Sequence, residues 1–434
     1  MSKLLPPKPS CVNIWCMNKK DTIWDLVVIG GGPAGMMAAG TASQNKKLKV
    51  LLIEKNDSLG KKLLITGGGR CNITNAEFDT RVLLSKYKEA EPFLFSPFSA
   101  FGVKESLDFF LSKGLDTKVE NEKRAFPITE RAQSVWDVLV ENLKENKVEI
   151  ISNSPVKKLV KDGGQIIEAV LENGDKVRAK KFIVATGGTS RPETGSTGDG
   201  FKWLKDLGHK VWGSDASLVP ISIKDSWVKK LSGVTLTDIK LSLFQDGEKQ
   251  KVEKGKILFT HFGISGPTVL NMSKDIGELL KYGEVFIELD LLPKENYGTL
   301  NEKLQELFKK ENKKMIKNSL DILVPSSLVP TVLEKAGVSG DTFNNSVIRE
   351  GRISLVQSIK HLKMEVSGLL GKEKAIVSSG GVDLSEVDFK TMRSRLFPNL
   401  YIVGDVLNID RPSGGYSLQL CWTTGYVAGK DASV

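Results

Sequence analysis

The sequence predicts an α/β protein: a parallel sheet with covering helices, built from both ends of the chain and interrupted by an antiparallel β module with a small helical subdomain. Three observations predict it. Near the N-terminus, the apolar run Asp25–Ile29 (DLVVI), a glycine-rich turn from Gly30 to Gly35, a small-residue stretch from Met36 to Ser43 and a second apolar run, Val50–Ile53, follow in the order strand, turn, helix, strand. After about Gly213 the pattern changes to hairpins. Near the C-terminus, Leu400–Val403 (LYIV) runs into Gly404-Asp405, and Gly414-Gly415-Tyr416 opens a helical stretch to about Ala428, so the first style returns.

Composition sets the bounds. The 434 residues carry 62 Lys and Arg against 52 Asp and Glu, a net charge of +10 that favours anionic ligands or partners. Hydrophobic residues at 40% and charged residues at 26% are ordinary for a globular chain and exclude disordered and fibrous classes. No run approaches 18 apolar residues, so no membrane-spanning helix is expected. Cys11, Cys16, Cys71 and Cys421 form no Cys-x-x-Cys pair, and with 3 histidines there is no ligand cluster. Neither dithiol redox chemistry nor a metal site is expected, and a reducing cytoplasmic setting is. The preface 1–20 holds Pro6, Pro7 and Pro9 without the apolar core of a signal peptide. It reads as a disordered extension, with Met17 as a natural start.

The remaining elements follow in order. Val148–Ile151 and Val156–Val160 read as strands. Ile166–Leu171 and Lys176–Ala179 flank Asn173-Gly174, a strong hairpin turn. Phe182–Ala185 reads as a separate buried strand ending in Thr186-Gly187-Gly188. Further on, Ile239–Phe244 and Lys249–Val252 flank Asp246-Gly247, and Val285–Leu289 reads as another strand. From about Pro293 to Ala336 the pattern is helical, with Leu304, Leu307 and Phe308 at i, i+3 and i+4. The adjoining Lys309, Lys310, Lys313, Lys314 and Lys317 read as a solvated face. No aromatics are interleaved with them, which argues against nucleic-acid contact. The expected division is an extension at 1–20, a dinucleotide domain at 21–212 and 372–434, a β-rich insert at 213–292, its helical subdomain at 293–345, and a return segment at 346–371.

Five motifs carry chemistry. In Gly30-x-Gly32-x-x-Gly35 the first glycine permits the turn, the second lets a pyrophosphate approach the backbone, and the third lets helix and strand pack closely. Phosphate charge then meets free N–H groups at the helix start. Glu54, 22 residues after Gly32, is placed to accept ribose hydroxyls. Thr66-Gly67-Gly68-Gly69-Arg70-Cys71-Asn72, preceded by Lys61-Lys62, can form an anion-holding concavity. Ala185-Thr186-Gly187-Gly188 and Gly404-Asp405 each end a strand of parallel type, the edge where open α/β sheets bind ligands. Thr260-His261-Phe262-Gly263-Ile264-Ser265-Gly266-Pro267 is a punctuated loop in the insert that reads either as a pocket wall or as a turn with a surface histidine.

A single dinucleotide fingerprint, a mid-chain Ala-Thr-Gly and a late Gly-Asp together resemble the glutathione-reductase-like FAD-binding Rossmann fold. Particular segments sharpen the likeness. Lys61 to Asn75 (KKLLITGGGRCNITN), Phe259 to Pro267 (FTHFGISGP), and Gly404 to Asp410 (GDVLNID) with Gly414 to Gln419 (GGYSLQ) are similar to the signatures of the BaiN/RdsA (YhiN-type) family of NAD(P)/FAD-dependent oxidoreductases, which includes aminoacetone-oxidase-like flavoproteins. The likeness spans 25–429. It implies FAD contacts at Gly30, Gly32, Ala34, Gly35, Glu54, Lys55, Lys62, Thr66, Gly68, Val156, Thr186, Gly187, Gly404, Asp405, Gly415 and Tyr416. Val156 would meet the adenine by its backbone; Gly415 and Tyr416 would set helix N–H groups beside the flavin. The chain departs from the family at Asp405 (commonly Glu), which still supplies a carboxylate, and at Ser417 (usually Asn) and Arg411 (frequently Gly), which the resemblance puts close to the flavin ring, so substrate identity does not transfer.

The expected function is therefore that of an FAD-dependent oxidoreductase. Hydride passes through flavin N5, from NAD(P)H as transient reductant, to an enone-type small molecule or to oxygen. No catalytic acid or base stands out; Arg70, His261 and Tyr416 are the candidates for polarising a substrate. An RNA-modifying flavoenzyme and a non-catalytic flavin-binding redox sensor are the alternative readings. The insert is expected to cover the flavin and supply substrate contacts. Oligomeric state stays open.

Overall fold

The computed structural model describes residues 22–213, 216–370, 377–378 and 380–434. The expected extension, with Cys11 and Cys16, lies outside the described residues. The chain forms two compact units: Met1–Ala216 with Ile376–Val434, and Ser217–Ala375.

In the first unit the strands lie in the order Glu149–Ile151, Val50–Ile53, Ile23–Ile29, Lys176–Val184, Gln165–Leu171, Val156–Asp162, and Leu400–Ile402 also pairs with Lys176–Val184. Ile23–Ile29 is central and parallel to both its neighbours. Helices and neighbours cover both its faces, which is why it reads as an apolar run rather than an alternation. Leu26, Val27 and Val28 are wholly inaccessible, each burial contributing roughly 1.5–3 kcal/mol.

Phe182–Ala185 is not a separate strand. The hairpin strand runs on unbroken as Lys176–Val184. Its first residues pair antiparallel with Gln165–Leu171, through Lys176, Val177 and Arg178. From Arg178 to Val184 it pairs in parallel with Ile23–Ile29 along one edge, and on the other edge Phe182, Ile183 and Val184 pair in parallel with Leu400–Ile402. One strand thus changes partners midway, and no turn residue marks the change.

The helix Pro33–Ala42 is buried all round except at Pro33. Its small side chains follow from its neighbour, the C-terminal helix Tyr416–Ala432. A Cβ at Gly425 would come 2.5 Å from the Ala34 carbonyl oxygen, and one at Gly429 would come 2.4 Å from that of Ala38. The two glycines, four apart, share one helix face and let the backbones touch. Deeper in the same helix, Gln419 is fully buried; it accepts from Thr74 Oγ1 at 2.6 Å and donates to the Gly102 carbonyl at 3.0 Å.

The second unit is a closed six-stranded barrel, in the order Ile221–Ile223, Gly263–Ser265, Glu248–Thr260, Thr235–Gln245, Val285–Asp290, Leu362–Leu369. Closure leaves no sheet edge unpaired. The expected hairpin about Asp246-Gly247 is present with longer arms than its sequence signal. The stretch 293–336 is not uniformly helical. Helices Tyr297–Lys310 and Val329–Ala336 are separated by short 3-10 turns. Leu304, Leu307 and Phe308 are buried, while Lys309, Lys310, Lys313, Lys314 and Lys317 are exposed. The expected return segment holds the helix Arg349–Lys360 and the strand Leu362–Leu369 that closes the barrel. No helix among the described residues is long and apolar enough to cross a membrane.

Candidate cofactor site

A cleft of about 1180 Å³, open mouth included, lies within the first unit where its parallel strands end. Ile29 leads into Gly30, whose φ of +106° and close approach to Ala185 (2.5 Å from a built Cβ to the carbonyl oxygen) admit only glycine. A Cβ at Gly35 would overlap the Gly30 carbonyl oxygen at 1.9 Å, so this glycine serves helix–strand packing. Gly32 differs from both. Its φ is −76°, and a Cβ there would meet nothing within 4 Å. Its side is simply open to the cleft. The helix Pro33–Ala42 starts there without a side-chain cap, with the unpaired first-turn amides that suit an anion.

Glu54 ends the second strand and is buried. Its Oε2 accepts from the Gly31 N–H and its Oε1 from the Asn56 N–H, both at 2.8 Å. Burial pushes its pKa up against the pull of these donors. Each oxygen keeps a second lone pair for a further donor. Lys55 reaches Asp199 Oδ2 and Thr197 Oγ1, each at 2.7 Å. Thr186 lines the cleft, and its hydroxyl, buried against Gly200, has no hydrogen-bond partner.

The opposite end is ionic. Lys62 Nζ donates to Ser190 Oγ at 2.6 Å and reaches Asp405 Oδ2 at 3.4 Å. Arg411 pairs with the other oxygen of Asp405. Burial alone would raise the Asp405 pKa, but the charges of Arg411 and Lys62 outweigh it and hold the carboxyl below its ordinary range. Arg411 also donates to the Ile409 carbonyl at 2.7 Å and to Ser417 Oγ at 3.0 Å. Cys421 lines this end, its thiol pushed up to about 12 by burial.

Of the residues expected to touch a cofactor, all but Gly35, Gly68, Gly415 and Tyr416 line this one cleft. Gly68 belongs to the turn Thr66–Gly69, where Gly67, Gly68 and Gly69 all take positive φ, so the triple glycine is first a requirement of the turn. Gly415 lies against the backbone of Thr74, 2.3 Å from a built Cβ. Tyr416 packs edge-on against Tyr87, whose hydroxyl donates to the Tyr416 carbonyl at 2.8 Å. Arg70 does not supply charge to the cleft: it is paired with Glu120 at 2.6 Å and lies over the Phe126 ring. His261 is an exposed turn residue of the barrel unit.

Reading the sequence missed Asn56, Ser154, Ser196, Asp199 and Cys421 as cleft residues. The small polar run Thr194 to Gly200 (TGSTGDG) was a legible loop signal for two of them. Ser417 and Cys421 sit four apart on one helix face, a spacing that marks a shared face but not what it faces.

The space open at Gly32, the unpartnered Thr186 hydroxyl and the size of the cleft fit an extended dinucleotide. Fold and site define a Rossmann-type FAD-dependent oxidoreductase. Residues 24–431 match the family described as HI0933-like protein Rossmann domain, and the chain belongs to that family. It is 31% identical to a 3-dehydro-bile acid delta(4,6)-reductase of Clostridium scindens, over 94% of this chain and 98% of that protein. It is 29% identical to a ribosomal RNA dihydrouridine synthase of Escherichia coli, over 94% and 98%. Among solved structures it shares the fold of 3-ketosteroid delta1-dehydrogenase from Sterolibacterium denitrificans, with TM-score 0.55, 14% identity, and 95% and 99% coverage.

Proposed function

We propose that this protein reduces a carbon–carbon double bond conjugated to a carbonyl in a small organic acceptor, with FAD as resident cofactor and NAD(P)H as hydride donor. The observation that carries the cofactor reading is the cleft itself: a glycine whose missing side chain leaves open space at a helix start, in line with a buried carboxylate and an orphaned hydroxyl. FAD supplies hydride transfer when bound. Gly32 and the first-turn amides take the pyrophosphate, Glu54 the ribose, and Val156 borders the adenine. Thr186 donates its unused hydroxyl, and the Lys62–Asp405 end takes the remainder. Cys71 and Cys421 stay protonated thiols, each pushed up to about 12 by burial, and carry no electrons. The conjugated acceptor follows the Clostridium relative, whose delta(4,6) unsaturation adjoins a 3-oxo group by name. The setting is a reducing cytoplasm.

The central test is the spectrum of the purified protein, recorded anaerobically before and after NADH or NADPH, then after a cyclic enone. Bleaching by the nicotinamide and recovery with the enone support the proposal; flavin bands that no nicotinamide bleaches overturn the donor. A second reading has one specific observation behind it, the name of the Escherichia coli relative. The uridine double bond is likewise conjugated to a carbonyl, so the chemistry is shared. Salt-sensitive binding of RNA, with reoxidation by RNA and none by small enones, would favour it.

A further inference from the structure

At one end of the cleft stands a buried cation that the dinucleotide motifs do not call for. The Arg411 side chain is 1% exposed. It does not line the cleft but stands behind two residues that do, Asp405 and Ser417, and bonds to both. Lys62 approaches the same carboxylate from the other side. Two cations therefore share one carboxylate there, whereas Glu54, near the other end, is engaged by backbone amides.

The polarity of the cleft assigns its ends. A pyrophosphate takes the helix start at Gly32, and the adenosine side runs to Glu54 at the end of the second strand. The Lys62, Asp405 and Ser417 end is what remains for the flavin. A hydride carries two electrons and one proton. Its transfer from a nicotinamide donor leaves the donor as the oxidised nicotinamide and the reduced flavin with one negative charge. A desolvated positive charge nearby favours that product over the neutral oxidised form, because low dielectric preserves the interaction.

We propose that Arg411 is a positioning residue that raises the reduction potential of bound FAD, holding Asp405 and Ser417 in place and tipping the charge balance at the flavin end of the cleft to positive. The inference rests on the FAD reading above. Arg411 fits this task better than a second lysine would, since its fork satisfies the carboxylate, the Ser417 hydroxyl and the Ile409 carbonyl at once.

The test is the midpoint potential of FAD in the holoprotein, measured by anaerobic reductive titration against a reference dye, with flavin content determined first. Absence of flavin from the wild-type protein refutes the underlying FAD reading and is distinct from everything below. Arg411→Met is expected to shift the ratio of reduced to oxidised flavin at least tenfold toward oxidised, about 30 mV for a two-electron couple. Arg411→Lys keeps the charge and stays within threefold of wild type. Asp405→Asn removes a negative charge and shifts the ratio toward reduced. Asp405→Asn with Arg411→Met removes one charge of each sign and falls back toward wild type. An unchanged potential in flavin-replete Arg411→Met overturns the proposal. If that variant does not retain FAD, the comparison moves to Asp405→Asn against the double variant, and equal potentials for those two overturn it equally.

Discussion

Replacing Gly32 with Val should produce a folded protein that cannot hold FAD. The structure separates this from the other two fingerprint glycines. At Gly32 the backbone is extended, with φ −76° and ψ −176°, which a β-branched residue adopts, and a Cβ meets nothing within 4 Å. The folding cost is that of a poorer helix N-cap, about 1 kcal/mol. The side chain then stands where the pyrophosphate meets the first-turn amides, and excluding it should weaken binding by at least a thousandfold, about 4 kcal/mol. Gly35→Ala is the contrasting control. Its Cβ falls 1.9 Å from the Gly30 carbonyl oxygen, an overlap the backbone has to absorb at roughly 1–3 kcal/mol or more. The assay is flavin-to-protein ratio by absorbance, alongside thermal unfolding of the flavin-free proteins. Gly32→Val should melt close to flavin-free wild type and be colourless, and Gly35→Ala should melt several degrees lower. A folded Gly32→Val protein that is as yellow as wild type would refute the assignment of the cleft.

Cys71→Ser should leave the rate of flavin reduction unchanged in stopped-flow, because the buried thiol, at about 12, provides no thiolate at neutral pH. Lys360→Met should cost the barrel unit about 1–3 kcal/mol in urea unfolding. It removes the nearer of two cations from the near-buried Asp290, 2.7 Å against 3.3 Å for Lys240, and takes from the Glu295 carbonyl its side-chain donor. His209 should make the protein acid-sensitive. Burial lowers its folded pKa below the unfolded 6.5, so the unfolded chain takes up the proton first; the stability is present above that value and lost as pH falls through the folded one. His209→Gln should flatten the decline in unfolding temperature as pH falls below about 6.5, and an equally steep decline would show that other groups cause it.

Much of the cofactor unit was legible because it is local. The fingerprint, Glu54 and the glycines after the strands each announce themselves within a few residues. Legibility failed where a partner was distant. The strand Lys176–Val184 was split because its change of neighbours depends on Leu400–Ile402, over two hundred residues away. The barrel-closing strand carried a signal, since Leu362, Met364 and Val366 alternate as buried positions. It was passed over because only His361 separates it from the preceding helix, with no glycine or proline between. Arg70 beside three glycines looked like an anion ligand, yet its partners are Glu120 and Glu130, which sequence spacing does not reveal. Arg411 is the reverse case: six residues from Asp405, it stood out as a departure from the family, but only burial shows the pair.

The ionic side chains of the cleft bear on how the reaction ends. Glu54 is held by backbone amides, Lys55 by Asp199, Lys61 by Asp57 at 2.9 Å, and Asp405 by both Arg411 and Lys62. Each charged residue lining the cleft is thus engaged within the protein. In the proposed reaction, hydride addition to a conjugated double bond leaves an enolate-like product that needs a proton at the neighbouring carbon. The carboxylates are committed as acceptors, and Cys421 holds its proton too tightly. In the proposed reaction neither the carboxylates nor the thiol supplies that proton, which leaves a lysine ammonium of the cleft, water or a residue outside the cleft as its source. Relatives of about 30% identity carry names as different as a bile-acid reductase and a ribosomal RNA enzyme. In the proposed reading the cleft holds the cofactor by backbone, small residues and paired charges, none of which selects an acceptor.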